Sequence, residues 1–186
     1  MNKKITIAID AMGGDNSPQK IIDGVVTFLI KNKKKNDFLL KLYGDEKKIY
    51  SELKKFTYPK HLLEIIHTNN VISDEETPLT AIKNSKNTSM WNCIKAQTEG
   101  EANISLSAGN TGVLLVISRM ILKMMSQVSR PALAGLWPNE KGMNVVLDLG
   151  ANIECDDINL IDFAELGSAL YKSLFPNEKP LVALLN

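Results

Sequence analysis

The 186-residue chain has two cysteines and two histidines, too few and too scattered for several kinds of chemistry. Cys93 and Cys155 form no close pair, which argues against a disulfide framework and suits a reducing cytoplasm. Neither stands beside a histidine, so they read as small thiols rather than nucleophiles. His61 and His67 show no zinc-ligand spacing to each other or to the cysteines. Charge of one sign is also lacking. The net charge of +1 gives no overall field for nucleic acid or an anionic membrane. No run approaches the roughly 18 apolar residues of a membrane span. The basic start, Met1 to Ile5, is interrupted by Asp10 too early for a signal peptide. Three nucleotide and hydrolase signatures are missing as well: Gly-x-Gly-x-x-Gly after the first strand, Gly-x-x-x-x-Gly-Lys-Ser/Thr, and the Gly-x-Ser-x-Gly elbow.

What remains is an ordinary soluble composition, 44% apolar and 23% charged, in a chain long enough for one good core. The lysine clusters at 31–35 and at 47, 48, 54 and 55 read as solvated helix ends and faces. Strand and helix patterns alternate. Strands are expected at Ile5–Ile9, Phe38–Tyr43, Leu62–His67, Ile104–Leu106, Met143–Leu147 and Leu181–Leu185. Helices are expected after Ser17-Pro18, with Ser17 as N-cap and Ile21, Ile22, Val25, Val26 and Leu29 at helical spacing. Others follow at Glu46–Phe56, from Thr77-Pro78, from Ser89 as cap to Glu99, at Val113–Lys123 and at Leu160–Leu174. A polar connection spans Thr68–Glu76, and Arg130–Ala134 reads as an extended segment. This alternation predicts an α/β fold, three-layer α/β/α, with a largely parallel sheet. A last strand with nothing after it reads as a truncated chain.

Glycine-bearing turns follow four of the expected strands: Asp10–Asp15, Gly44-Asp45, Ser107–Gly112 and Asp148–Asn152. In an open parallel sheet the carboxyl ends of strands share one edge, where ligands bind. Gly44-Asp45 reads as ordinary turn chemistry. The other three are candidates for a polar, phosphate-bearing ligand. Ser107-Ala-Gly-Asn-Thr-Gly112 is the strongest, because small residues at a strand-to-helix turn combine close backbone approach with free N–H groups.

Four stretches in this order resemble one family. They are Ile7-Ala-Ile-Asp-Ala-Met-Gly-Gly-Asp15, Ser107–Gly112, Arg130-Pro-Ala-Leu-Ala134 and Leu147-Asp-Leu-Gly-Ala-Asn152. Lesser matches are Ser85–Met90 and Leu181–Asn186. The chain is similar, over its whole length, to the N-terminal half of the PlsX family, the phosphate acyltransferases of bacterial phospholipid synthesis. The resemblance implies an isocitrate dehydrogenase/phosphotransacetylase-like fold, with residues 1–186 as the N-terminal part of a single domain whose C-terminal remainder is absent. It implies a reaction between acyl-[acyl carrier protein] and inorganic phosphate that yields acyl phosphate, with no organic cofactor. It also implies a cytoplasmic homodimer, peripheral on the inner face of the membrane. Its acyl phosphate would serve a glycerol-3-phosphate acyltransferase there. The sequence departs from the family at Val113, where Ala is usual, and at Asn84–Thr88, which is less basic. The family's continuing Gly-Glu-Glu and Lys-Gly-Asn motifs would begin after Asn186.

Phosphate is the nucleophile in that reaction, so the protein's tasks are positioning and charge stabilisation. Asn110, Lys86 and Arg130 are the candidate catalytic residues, Asn110 as donor and the other two as cations. Gly13, Gly14, Ser107, Gly109, Thr111, Gly112, Asp148 and Asn152 are the candidate substrate-binding residues. Asp10 and Asp15 read as turn-fixing carboxyls, since a carboxylate beside phosphate repels it. Two other readings compete: a truncated, non-catalytic remnant of that enzyme, and a dehydrogenase of similar fold, which the missing nicotinamide fingerprint disfavours.

Overall fold

The computed structural model describes residues 4–73, 76–140 and 142–185. Asp74 and Glu75 of the polar connection, and Asn186 at the end of the last apolar run, lie outside them. The chain divides into two compact units, residues 1–123 and 124–186.

The first unit is built on a parallel sheet. Strands β1 (Ile5–Asp10), β2 (Phe38–Gly44), β3 (Leu63–His67) and β4 (Ile104–Leu106) lie in the order β3-β2-β1-β4. Ile5 faces Phe38 and Asp10 faces Tyr43, while Ile7 to Ile9 pair with Ile104 to Leu106. The alternation of side chains across a strand divides the core between two faces. On one face Ile9, Leu40 and Leu42 pack with Ile22, Val25, Val26 and Leu29 of α1 (Gln19–Lys31) and with Ile49 and Leu53 of α2 (Glu46–Leu53). On the other, Ala8 and Tyr43 pack with Cys93 and Ala96 of α4 (Ser89–Thr98). A third cluster joins Ala81 of α3 (Pro78–Asn84) and Met90 and Ile94 of α4 to Val113 and Ile117 of α5 (Thr111–Leu122). The expected three layers with a parallel sheet are therefore present.

Several helix starts differ from the sequence reading. Ser17 does not cap α1: its hydroxyl donates to the Met12 carbonyl at 2.7 Å, and Pro18 occupies the cap position with no side-chain bond. Thr88, not Ser89, caps α4 by accepting from Trp91 N. Asp45 caps α2 by accepting from Lys47 N and Lys48 N, and that helix ends at Leu53 rather than Phe56.

The second unit holds an antiparallel hairpin, β5 (Ala134–Asn139) with β6 (Gly142–Leu147), and α6 (Asp157–Leu174). β5 corrects the reading of an extended segment ending at Ala134. Pro138 masks this strand in the sequence, yet a two-stranded hairpin has edges that tolerate proline. β6 pairs antiparallel with β5, so it does not extend the parallel ladder. Asp156 caps α6 in a reciprocal box with Asn159. Leu181–Leu185, expected as a strand, belongs to no strand among the described residues. Its apolar side chains stay exposed, Leu181 at 92%. A strand needs a neighbouring ladder to satisfy its backbone, and none is recorded for this stretch. Among the described residues, no helix is long and apolar enough to cross a membrane.

Leu42 is fully buried at the centre of the β2 face. Leu42→Ala is expected to cost about 2–5 kcal/mol of stability, read from urea denaturation. A loss under about 1 kcal/mol contradicts this account of the core.

Candidate functional site

The sheet order places a topological switch point between β1 and β4. The chain leaves β1 toward β2 on one side, and β4 adds on the other. Ligands of open α/β sheets bind in the crevice at such a point, outside the carboxyl ends of the strands. The turns leaving those two strands are Asp10–Gly14 and Ser107–Asn110.

These turns are packed directly on one another. A Cβ on Gly13 would lie 2.6 Å from Asp10 Oδ2, 2.8 Å from Gly109 N and 2.9 Å from Ser107 Oγ. Gly14 has φ +85°, and a Cβ there would meet the Ala108 carbonyl oxygen at 2.6 Å. The two glycines are thus required by contact between the turns, whatever ligand approaches them. Asp10, 1% exposed, ties the turns together. Its Oδ1 accepts from Met12 N at 3.1 Å and its Oδ2 accepts from the Ser107 hydroxyl at 2.7 Å. Ser107 Oγ in turn accepts from Gly109 N at 3.1 Å.

The second turn runs into α5. Asn110 is its N-cap, with Oδ1 accepting from Val113 N at 3.1 Å. Thr111 and Gly112 follow as the first helical residues, where backbone N–H groups lack intrahelical acceptors and the helix dipole favours an anion. Gly109 is held close to α4: a Cβ there would lie 2.7 Å from Met90 Cε. The start of α4 therefore adjoins the turn. Lys86 is exposed on the turn just before α4, a turn closed by Thr88 Oγ1 donating to Ser85 O at 2.7 Å. Gly44 serves neighbouring packing, since a Cβ there would meet Met12 Cγ at 2.7 Å. Asp15 is exposed.

The remaining candidates belong to the second unit, where they form a constellation of their own. Asp148 accepts from Ala151 N at 3.1 Å and Asn152 N at 3.0 Å. Asn152 Nδ2 donates to Pro131 O at 3.0 Å and to Asp148 Oδ2 at 3.1 Å. The amide of Asn152 thus closes this turn onto the Arg130-Pro131 segment. Arg130 donates from Nη1 to the Glu154 carbonyl at 2.8 Å. Asp148 and Asn152 also border a solvent-open groove of about 540 Å³ between β6, α6 and the 180–185 segment, with Leu147 and Phe163 on its walls. Among the described residues no three His, Cys, Asp or Glu side chains gather as metal ligands would.

The sequence matches the family model described as "Fatty acid synthesis protein" over residues 5–186. It is 50% identical over its whole length to a phosphate acyltransferase of Pelagibacter ubique, covering 54% of that protein. The chain belongs to this phosphate acyltransferase family. A phosphate acyltransferase of Parvibaculum lavamentivorans is 43% identical, again over the whole chain and 51% of the relative. The chain spans about half the length of the curated relatives it matches. Among solved structures, EutD phosphotransacetylase from Staphylococcus aureus aligns with a TM-score of 0.59 at 17% identity, over 94% of this chain and 55% of that one. That likeness shows the phosphotransacetylase-type fold. In phosphate acyltransferase terms, two family-like stretches, Ile7–Asp15 and Ser107–Gly112, meet at the switch point. The other two, Arg130–Ala134 and Leu147–Asn152, meet each other in the second unit through Asn152 and through Leu149 N donating to Leu133 O at 3.1 Å.

Cys93 lies under the switch point, and burial, with the nearby Asp10 adding to it, pushes its thiol up to about 12 from 9.0. The folded thiol keeps its proton where the unfolded one ionises. Its stabilising contribution is intact below pH 9 and is lost as pH rises toward 12. Stability is therefore expected to fall above pH 9, and Cys93→Ala to flatten that fall. At pH 8 in native buffer the exposed Cys155 is expected to react with a thiol reagent while Cys93 reacts only after unfolding. Equal rates for the two contradict the burial argument. Gly13→Ala is expected to destabilise by about 1–3 kcal/mol through overpacking between the turns, measured by urea denaturation.

Proposed function

We propose that this chain carries the phosphate-binding part of a phosphate acyltransferase that makes acyl phosphate from acyl-[acyl carrier protein] and inorganic phosphate. The observation that carries this reading is the Gly109–Gly112 turn at the head of α5, at the switch point of the sheet, in a chain of this family. A phosphate oxygen attacks the thioester carbonyl carbon, the C–S bond breaks, and the carrier's thiol leaves with a proton. Backbone N–H groups of Thr111 and Gly112 hold the phosphate, and the amide of Asn110 supports the oxyanion. Lys86, exposed on the turn just before α4, supplies positive charge. Gly109 admits the ligand to the backbone. The reaction needs no organic cofactor. Residues 1–186 act as the N-terminal part of a single domain. A cytoplasmic homodimer, delivering acyl phosphate to a glycerol-3-phosphate acyltransferase at the membrane, completes the reading.

Hydroxylamine trapping of acyl phosphate, from acyl-carrier protein and phosphate, tests it. Phosphate-dependent hydroxamate above background is expected. None at all favours the non-catalytic alternative. Asn110→Asp keeps an oxygen to cap α5 but removes the amide donor and adds negative charge. It is expected to retain the melting temperature and lose about 10²–10³ in kcat; unchanged turnover contradicts the role given to Asn110.

A further inference from the structure

Asp10 is buried at 1% exposure where the two turns meet. A buried carboxyl is retained only with partners, and this one has a partner on each oxygen: Met12 N at 3.1 Å on its own turn and the Ser107 hydroxyl at 2.7 Å on the other. The second bond fixes a direction. Because Ser107 gives its proton to Asp10, its lone pairs face the amide of Gly109, which donates to it at 3.1 Å. The hydroxyl is then an acceptor inside the turn and has no proton to offer an anion. That reverses the role expected for Ser107 as a phosphate contact.

We propose that Asp10 is a positioning residue of the anion turn, acting through Ser107 to set the path of Gly109 and hence the direction of the Thr111 and Gly112 N–H groups. The inference rests on the reading of this turn as the phosphate site. The chain of bonds runs from Asp10 through Ser107 to Gly109, and Asn110, Thr111 and Gly112 follow without a break. Glycine at position 109 cannot hold a backbone path by itself, because it has no side chain to restrict its dihedrals. The hydrogen bond to Ser107 supplies the restriction, and the close packing of Gly13 leaves no room for the turn to drift toward β1. In Asp10→Asn one oxygen becomes an NH₂ group. Either Met12 N loses its acceptor, or Ser107 receives a donor and must turn its own proton elsewhere.

The test is a titration of the ¹⁵N-labelled 186-residue chain with inorganic phosphate, read at the Thr111 and Gly112 amides, beside native-state hydrogen exchange. The wild type is expected to show phosphate shifts at both amides. Asp10→Asn and Ser107→Ala are each expected to weaken phosphate binding at least tenfold and to speed exchange at Gly109. The amides of Ile22 and Leu42 in the core are expected to keep wild-type protection. Wild-type affinity in both variants overturns the inference. So does loss of protection across β1 and β2 together with Gly109, the mark of a merely structural role. If Asp10→Asn does not fold, Ser107→Ala decides by the same criteria. A wild type without phosphate shifts at Thr111 and Gly112 contradicts the reading of the site itself, and the positioning role falls with it.

Discussion

The contact between the β1 and β4 turns governs the geometry of the first unit. Gly13 and Gly14 bring one turn against Ser107, Ala108 and Gly109 of the other at distances no side chain could occupy. Asp10 then fastens the two with a buried hydrogen bond. Strand order makes this contact possible, because β1 lies between β2 and β4. The same order makes it a switch point, where an open α/β sheet leaves room for a ligand. Packing on both faces is arranged around that seam. Small residues, Ala8 and Ala96, let α4 sit close to the sheet, which brings Met90 against Gly109.

Chemistry at such a seam comes chiefly from backbone. In the proposed reaction the phosphate nucleophile requires no activated serine or cysteine, and the buried Cys93 thiol, pushed up to about 12, supplies none. What the first unit offers is a helix start opened by an asparagine cap, with N–H groups beyond it. The second unit organises Arg130, Asp148 and Asn152 by its own hydrogen bonds. The hairpin and α6 give this second set its local frame.

Much of the first unit was legible because periodicity and burial coincide there. Ile22, Val25, Val26 and Leu29 face the core at the spacing that marks them in the sequence. Sequence also located the Ser107–Gly112 turn and its α5 helix. It misread positions where a local pattern had two physical uses. Ser17 before Pro18 resembles a cap, but its hydroxyl is taken by the Met12 carbonyl. Ser107 resembles an anion donor, but a buried carboxyl from a strand end 97 residues away takes its proton. Pro138 hides a hairpin strand, and the apolar run Leu181–Leu185 suggests a strand that, among the described residues, joins no ladder. Glycines 13 and 14 were marked as important for ligand approach. The structure gives them a prior duty to the neighbouring turn, a long-range contact that no local pattern encodes.

The central claim is that the head of α5, held by the neighbouring turn, receives phosphate. The most direct measurement is a crystal of this chain soaked with arsenate, a phosphate analogue with its own anomalous signal. An anomalous peak within hydrogen-bonding distance of the Thr111 and Gly112 amides is the predicted result. Saturating arsenate with no peak at that turn would contradict the account.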